Sequence, residues 1–179
     1  INHFQMMVTR SILTISLFGF IVGVGTGLLD TLFHLLDLEY YKLLNIFIFI
    51  FFLSGVSLAT IKIREDFYNG IFNYWNSLKN YLLIGLAASL TIASVRYIYL
   101  KFINVADINQ IVGNTKSNIL KYYGDNNQEL INNRLEFLEF SYDPFVSSLF
   151  YLAYYMVYVI VFAVISSFFI RKQAISNTF

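Results

Sequence analysis

The sequence predicts an all-α integral membrane protein: four transmembrane helices, with an extracytoplasmic helical hairpin between the third and the fourth. Three observations predict it. Apolar residues fill 58% of the 179 positions and charged residues 13%, about half the roughly 25% charged share of a soluble domain, so a water-soluble core could not hide the excess. The apolar residues gather in four runs, each near the roughly 20 residues that a membrane helix needs. Nowhere does the chain offer the short alternating segments of a transmembrane barrel, and backbone that crosses lipid must otherwise be helical to satisfy its own polar groups.

The first run, residues 11–29, follows Arg10. It resembles a secretory signal but is long and lacks a small-x-small cleavage site, so an uncleaved first span is expected. The chain opens on Ile1 rather than methionine, and a few preceding residues are expected. Asp30, His34, Asp37, Glu39 and Lys42 then make a short, net acidic connection to the second run, residues 43–61.

Residues 62–80 hold Lys62, Arg64 and Lys79 against Glu65 and Asp66. Phe67, Ile71, Tyr74, Trp75 and Leu78 recur there at helical spacing with asparagines between them, predicting a helix that lies along the cytoplasmic membrane surface, with Trp75 in the aromatic belt. The third run is residues 81–100. After it comes the one sizeable extramembrane stretch, residues 101–143, with two helix signatures. Asp107 stands three residues before Gln110 in capping-box register, ahead of Ile108, Ile111, Val112, Thr115 and Ile119 on one face. Asp125 with Gln128 repeats the signal ahead of Leu130, Ile131, Leu135 and Leu138, and Gly124 between them marks a stop. Asp143 and Pro144 suit the N-cap and first turn of the last run, residues 145–170.

Arg10, the middle loop, Arg171 and Lys172 place the basic residues on one side of four crossings. By the positive-inside rule both termini and the middle loop are cytoplasmic, and residues 101–143 lie outside. The whole chain reads as one membrane domain.

This layout resembles the four-helix membrane family of Bacteroidota catalogued as domain of unknown function 4199. The resemblance rests on the basic segment 64–79 with its glycine and aromatic, the exit from the third span at Tyr97 to Ile103, and the Pro144 start of the last span. It implies the inner membrane of a Gram-negative cell and carries no activity over. As a partner it implies a glycosyltransferase that acts on polyprenyl phosphates.

Two small-residue stripes stand out. Gly19, Gly23 and Gly27 fall every fourth residue on the first span, and Gly85, Ser89 and Ala93 answer at the same spacing on the third. In lipid such faces favour close helix packing, because backbones can approach without side chains between them. A phosphate loop is not indicated, since no lysine follows the glycines.

Arg96 is the one charge well inside a span, and an ionisable group there is a functional candidate. It sits about five residues from the outer end, some 6 Å below the interface at about 1.5 Å per residue, within reach of snorkelling. Its expected partner is either Asp30 or a lipid phosphate framed by Tyr151 and Tyr154. On the fourth span Tyr151, Tyr154, Tyr155 and Tyr158 share one face at overlapping depth, with Ser147 above. Hydroxyls and a guanidinium together suit a phosphate, though buried tyrosines more often bond within the protein.

Asp30, His34 and Asp37 could in principle bind a metal, but no second ligand motif accompanies them. There are no cysteines, which removes thiolate chemistry, and hydrolase and kinase signatures are missing. No catalytic residue, metal site or cofactor is therefore expected, and the +1 net charge gives no pull towards nucleic acid. The expected function is a non-enzymatic accessory or scaffold subunit of an inner-membrane complex, with membrane lipids and partner subunits as its contacts. The alternatives are a lipid-phosphate-binding or transport component, or a membrane anchor for a glycosyltransferase.

Overall fold

A computed structural model describes residues 3–36, 42–123 and 128–171. Within them are six α-helices: α1 His3–Leu35, α2 Lys42–Tyr68, α3 Tyr74–Ile98, α4 Val105–Tyr123, α5 Gln128–Tyr142 and α6 Pro144–Ile170. A π-helical segment, Tyr99–Ile103, joins α3 to α4. Four stretches are long and apolar enough to cross a membrane: Arg10–Leu35, Leu43–Tyr68, Tyr74–Ile103 and Pro144–Ile170. Each contains one of the four apolar runs whole.

The segment 62–80 does not form a helix of its own. Its first half prolongs α2 and its second half opens α3, with a tight turn between. The turn needs left-handed backbone, supplied by Asn69 at φ 51° and Gly70 at φ 77°, residue types that adopt it at little cost. The Gly70 N–H donates to the Arg64 carbonyl at 3.1 Å, and Asn73 caps α3 by accepting from the Asn76 N–H at 2.7 Å. The apolar residues at helical spacing belong to the two helix ends, and the fully buried Ile63 and Phe72 join the same apolar core as Ile170 at the end of α6. Of the residues at helical spacing, Phe67 and Leu78 pack against this core, whereas Ile71 and Trp75 are 48% and 65% exposed.

The start of α4 also differs from expectation. The chain leaves α3 through the π-helical segment without a break, and the Asn104 carbonyl already accepts from the Ile108 N–H at 3.2 Å. The helix therefore begins at Val105, two residues ahead of Asp107. Gly124 and Asp125 lie outside the described residues. Beyond them α5 covers Ile131 and Leu138, and α4 and α5 pack together with Lys116 Nζ 3.8 Å from Glu139 Oε1. The start of α6 follows its sequence signal: the Asp143 carboxylate accepts from the Phe145 and Val146 N–H groups at 2.9 and 3.0 Å, with Pro144 in the first turn.

The α3 helix is central and makes its largest interfaces with α1 and α6. The α1 glycines ride directly on α3. A Cβ built on Gly19 would stand 2.5 Å from Ala87 Cβ, and one on Gly27 would stand 3.0 Å from Val95 Cβ. Contacts that climb both helices together make α1 and α3 parallel, while α2, through Gly55 against Val22, and α6 run the other way. The α3 residues that meet the α1 glycines include Ala87 and Ala88 rather than the Gly85, Ser89 and Ala93 stripe. Gly85 meets Val159 of α6, and Ser89 and Ala93 are buried in the register of Gly85. At 100° per residue, positions 84, 88, 91 and 95 form one face of α3 and 85, 89 and 93 its neighbour, so α3 packs two partners at once.

Candidate functional site: a polar cavity among α1, α2, α3 and α6

The parallel and antiparallel directions bring the C-terminal ends of α1 and α3 and the N-terminal ends of α2 and α6 to the same end of the bundle, the end that carries α4 and α5. A cavity of about 720 Å³ opens among the four. Asp30 and His34 reach it from α1, Asn45 and Phe49 from α2, Arg96 from α3, and Phe150, Tyr151, Tyr154 and Tyr155 from α6. Below it the helices close, as Phe52 packs edge-on against Tyr155 at 4.9 Å and Phe49 against Tyr158 at 4.3 Å. Phe150 and Tyr154 are 62% and 53% exposed, so the mouth faces outward along α6.

Arg96 and Asp30 are brought together. The Arg96 Nη1 lies 3.9 Å from Asp30 Oδ2, and each side chain is 13% exposed. That spacing is electrostatic contact without a hydrogen bond. The guanidinium stacks on the Tyr151 ring with 4.8 Å to its centroid and lies 5.7 Å from that of Tyr99, within the range of cation–π attraction. Its Nε and Nη1 are shielded from water and have no hydrogen-bond partner among the described residues. An unsatisfied buried donor costs about 1–3 kcal/mol, so an acceptor arriving beside Arg96 would remove a standing penalty. Asp30 of α1 and Tyr151 of α6 thus both face the Arg96 guanidinium across the cavity.

The tyrosine stripe divides. Tyr151 and Tyr154 line the cavity, as does Tyr155. Tyr158 sits below, against Phe49, with its ring edge-on to that of Tyr154 at 4.8 Å. His34 packs near Tyr99 with ring centroids 5.9 Å apart, and Asp37 lies outside the described residues. Asn45 and Phe49 were not expected at the site. Asn45 had a usable signal, as the only polar residue in the first part of an apolar run; Phe49 had none, since phenylalanine is common throughout that run.

A family model described as Protein of unknown function (DUF4199) matches residues 17–172. The chain belongs to this family. No curated protein and no solved structure matches it. All cavity residues of this DUF4199 chain, and the three glycines that set α1 against α3, fall within the matched stretch.

At the opposite end the DUF4199 chain closes by other means. Arg64 Nη1 donates to the Ile170 carbonyl at 2.8 Å, satisfying one of the orphan acceptors at the end of α6, where a cation also suits the helix dipole. Its Nε and Nη2 both engage Glu65. The two ends thus differ: a satisfied arginine seals one, and an unsatisfied arginine lines the cavity at the other.

Proposed function

We propose that this chain is a non-enzymatic multi-pass protein of the bacterial inner membrane that holds the phosphate-bearing head of a membrane lipid in the cavity beside Arg96. One observation carries the reading: a guanidinium 13% exposed, with two N–H groups lacking acceptors, forms part of the wall of a cavity about 720 Å³ in volume. Phosphate oxygens are the acceptors that guanidinium groups bind best, and a modest turn about the terminal torsions of the side chain would present the fork to them. The outward mouth suits a ligand that arrives from within the bilayer.

The basic ends of the spans support cytoplasmic termini, which would set the cavity and the paired helices α4 and α5 as an extracytoplasmic hairpin at the outer leaflet. Gentle purification followed by mass spectrometry of retained lipid tests the function. The wild-type chain should keep phospholipid that Arg96→Gln releases; equal retention by both would discard the reading.

A second reading, an accessory or scaffold subunit of a membrane complex, is favoured by α4 and α5. There Tyr122 is 86% and Phe137 68% exposed beside a groove also lined by Ile119 and Arg134. Exposed aromatics of this kind are typical anchors at interfaces. A glycosyltransferase acting on polyprenyl phosphate is one partner that such a subunit would anchor. A protein that copurifies in fixed stoichiometry with the wild-type chain, and is lost on Phe137→Ser, supports it.

A further inference from the structure

The charged residues lining the cavity are one acid and one base, and this restricts the ligand further. Among the described residues, Asp30 and Arg96 are the side chains of opposite formal charge that line the cavity, and their charges offset one another. A phosphate brought to Arg96 as part of a singly anionic head would leave a net negative charge in a weakly polar enclosure. It would also approach the Asp30 carboxylate, 3.9 Å from Arg96 Nη1. Both effects are unfavourable where dielectric screening is poor. A head that carries its own cation avoids both, because the site and the ligand then match charge for charge.

We infer that the cavity takes a phosphate–ammonium zwitterion, the head of a phosphoethanolamine-type lipid, with phosphate on Arg96 and ammonium on Asp30. The inference rests on the lipid-phosphate reading above and names its ligand class. Two further features fit the ammonium. Tyr154 lines the cavity and is 53% exposed, and attraction of a cation to an aromatic ring strengthens when the cation is desolvated. The Asp30 carboxylate lines the cavity beside Arg96, and a carboxylate can accept from more than one donor. Outside the mouth, Phe47, Ile50 and Val157 are each more than half exposed on α2 and α6, an apolar flank along which acyl chains would lie.

The test uses the full chain, delipidated in detergent and titrated in native mass spectrometry with phosphatidylethanolamine, phosphatidylglycerol or diacylglycerol of matched acyl chains. Phosphatidylethanolamine should bind at least tenfold more tightly than phosphatidylglycerol. Asp30→Asn should erase or reverse that preference while still binding phosphatidylglycerol. If the wild-type chain binds phosphatidylglycerol as well as or better than phosphatidylethanolamine, and Arg96→Gln weakens both, the zwitterion inference falls and the lipid-phosphate reading stands. If neither phospholipid exceeds diacylglycerol, both fall together. The wild-type comparison needs no variant to fold. Water-soluble glycerophosphoethanolamine forms the last arm: weak competition supports a lipid source, and competition as strong as that of the intact lipid overturns it in favour of a soluble ligand of the same head chemistry.

Discussion

Gly23 of α1 lies so close to Ala88 of α3 that a Cβ built on the glycine would stand 2.6 Å from the Ala88 carbonyl oxygen. The nearest atoms are backbone and a β-branched Cβ, that of Thr91 at 2.5 Å, so neither can swing aside. Close approach of this kind is how small residues hold membrane helices together where lipid offers no hydrophobic drive. It also fixes the register that puts Asp30 level with Arg96.

Gly23→Ala should therefore destabilise the bundle by about 1–3 kcal/mol, the usual cost of overpacking. Gly113→Ala is the control. Nothing stands within 4 Å of a Cβ there, and in a helix alanine gains roughly 0.5–1 kcal/mol over glycine. Thermal unfolding in detergent should lower the midpoint for the first and leave or raise it for the second. Equal midpoints would show that α1 and α3 are not held as closely as described.

Arg96 and Asp30 should be energetically coupled. Removing either one strands the other charge in a setting where each is 13% exposed, and a broken buried pair costs more than the intact pair contributes. Arg96→Ala and Asp30→Ala should each lower stability, while the double variant loses less than their sum by about 0.5–3 kcal/mol. Additive losses in chemical unfolding would mean that the 3.9 Å approach carries no interaction.

Orientation can be read by labelling, because the chain contains no cysteine of its own. Asn118 on α4 and Lys79 near the start of α3 are both exposed and lie at opposite ends of the bundle. An impermeant maleimide should label Asn118→Cys in cells whose outer membrane alone is breached, and Lys79→Cys only once the inner membrane is opened. The reverse pattern would invert the topology.

Much of this architecture was written in local patterns. The four apolar runs, the Asp143–Pro144 start of α6 and the glycine repeat of α1 act through chain neighbours or through one helix face, so periodicity and capping chemistry reveal them. Arg96, Asp30, Tyr151 and Tyr154 were also visible as polar residues at similar depth, since an ionisable group in an apolar run announces itself.

Other features depended on which surfaces meet, and no single segment holds that information. The periodicity of residues 62–80 is the same whether the apolar face meets lipid or protein; the left-handed turn at Asn69 and Gly70 and the burial of Ile63 and Phe72 made it two helix ends. The Gly85 stripe matched the α1 glycines in spacing, yet packing set Gly85 on Val159 of α6. The sequence by itself determined the four long apolar helices, their stock of polar groups and the cap of α6. Only the tertiary structure decided that α3 packs on two faces and that Asn45 and Phe49 join the site. It also decided that Arg96 stops 3.9 Å from Asp30 with N–H groups to spare, because helix register and crossing geometry are sums over many distant contacts.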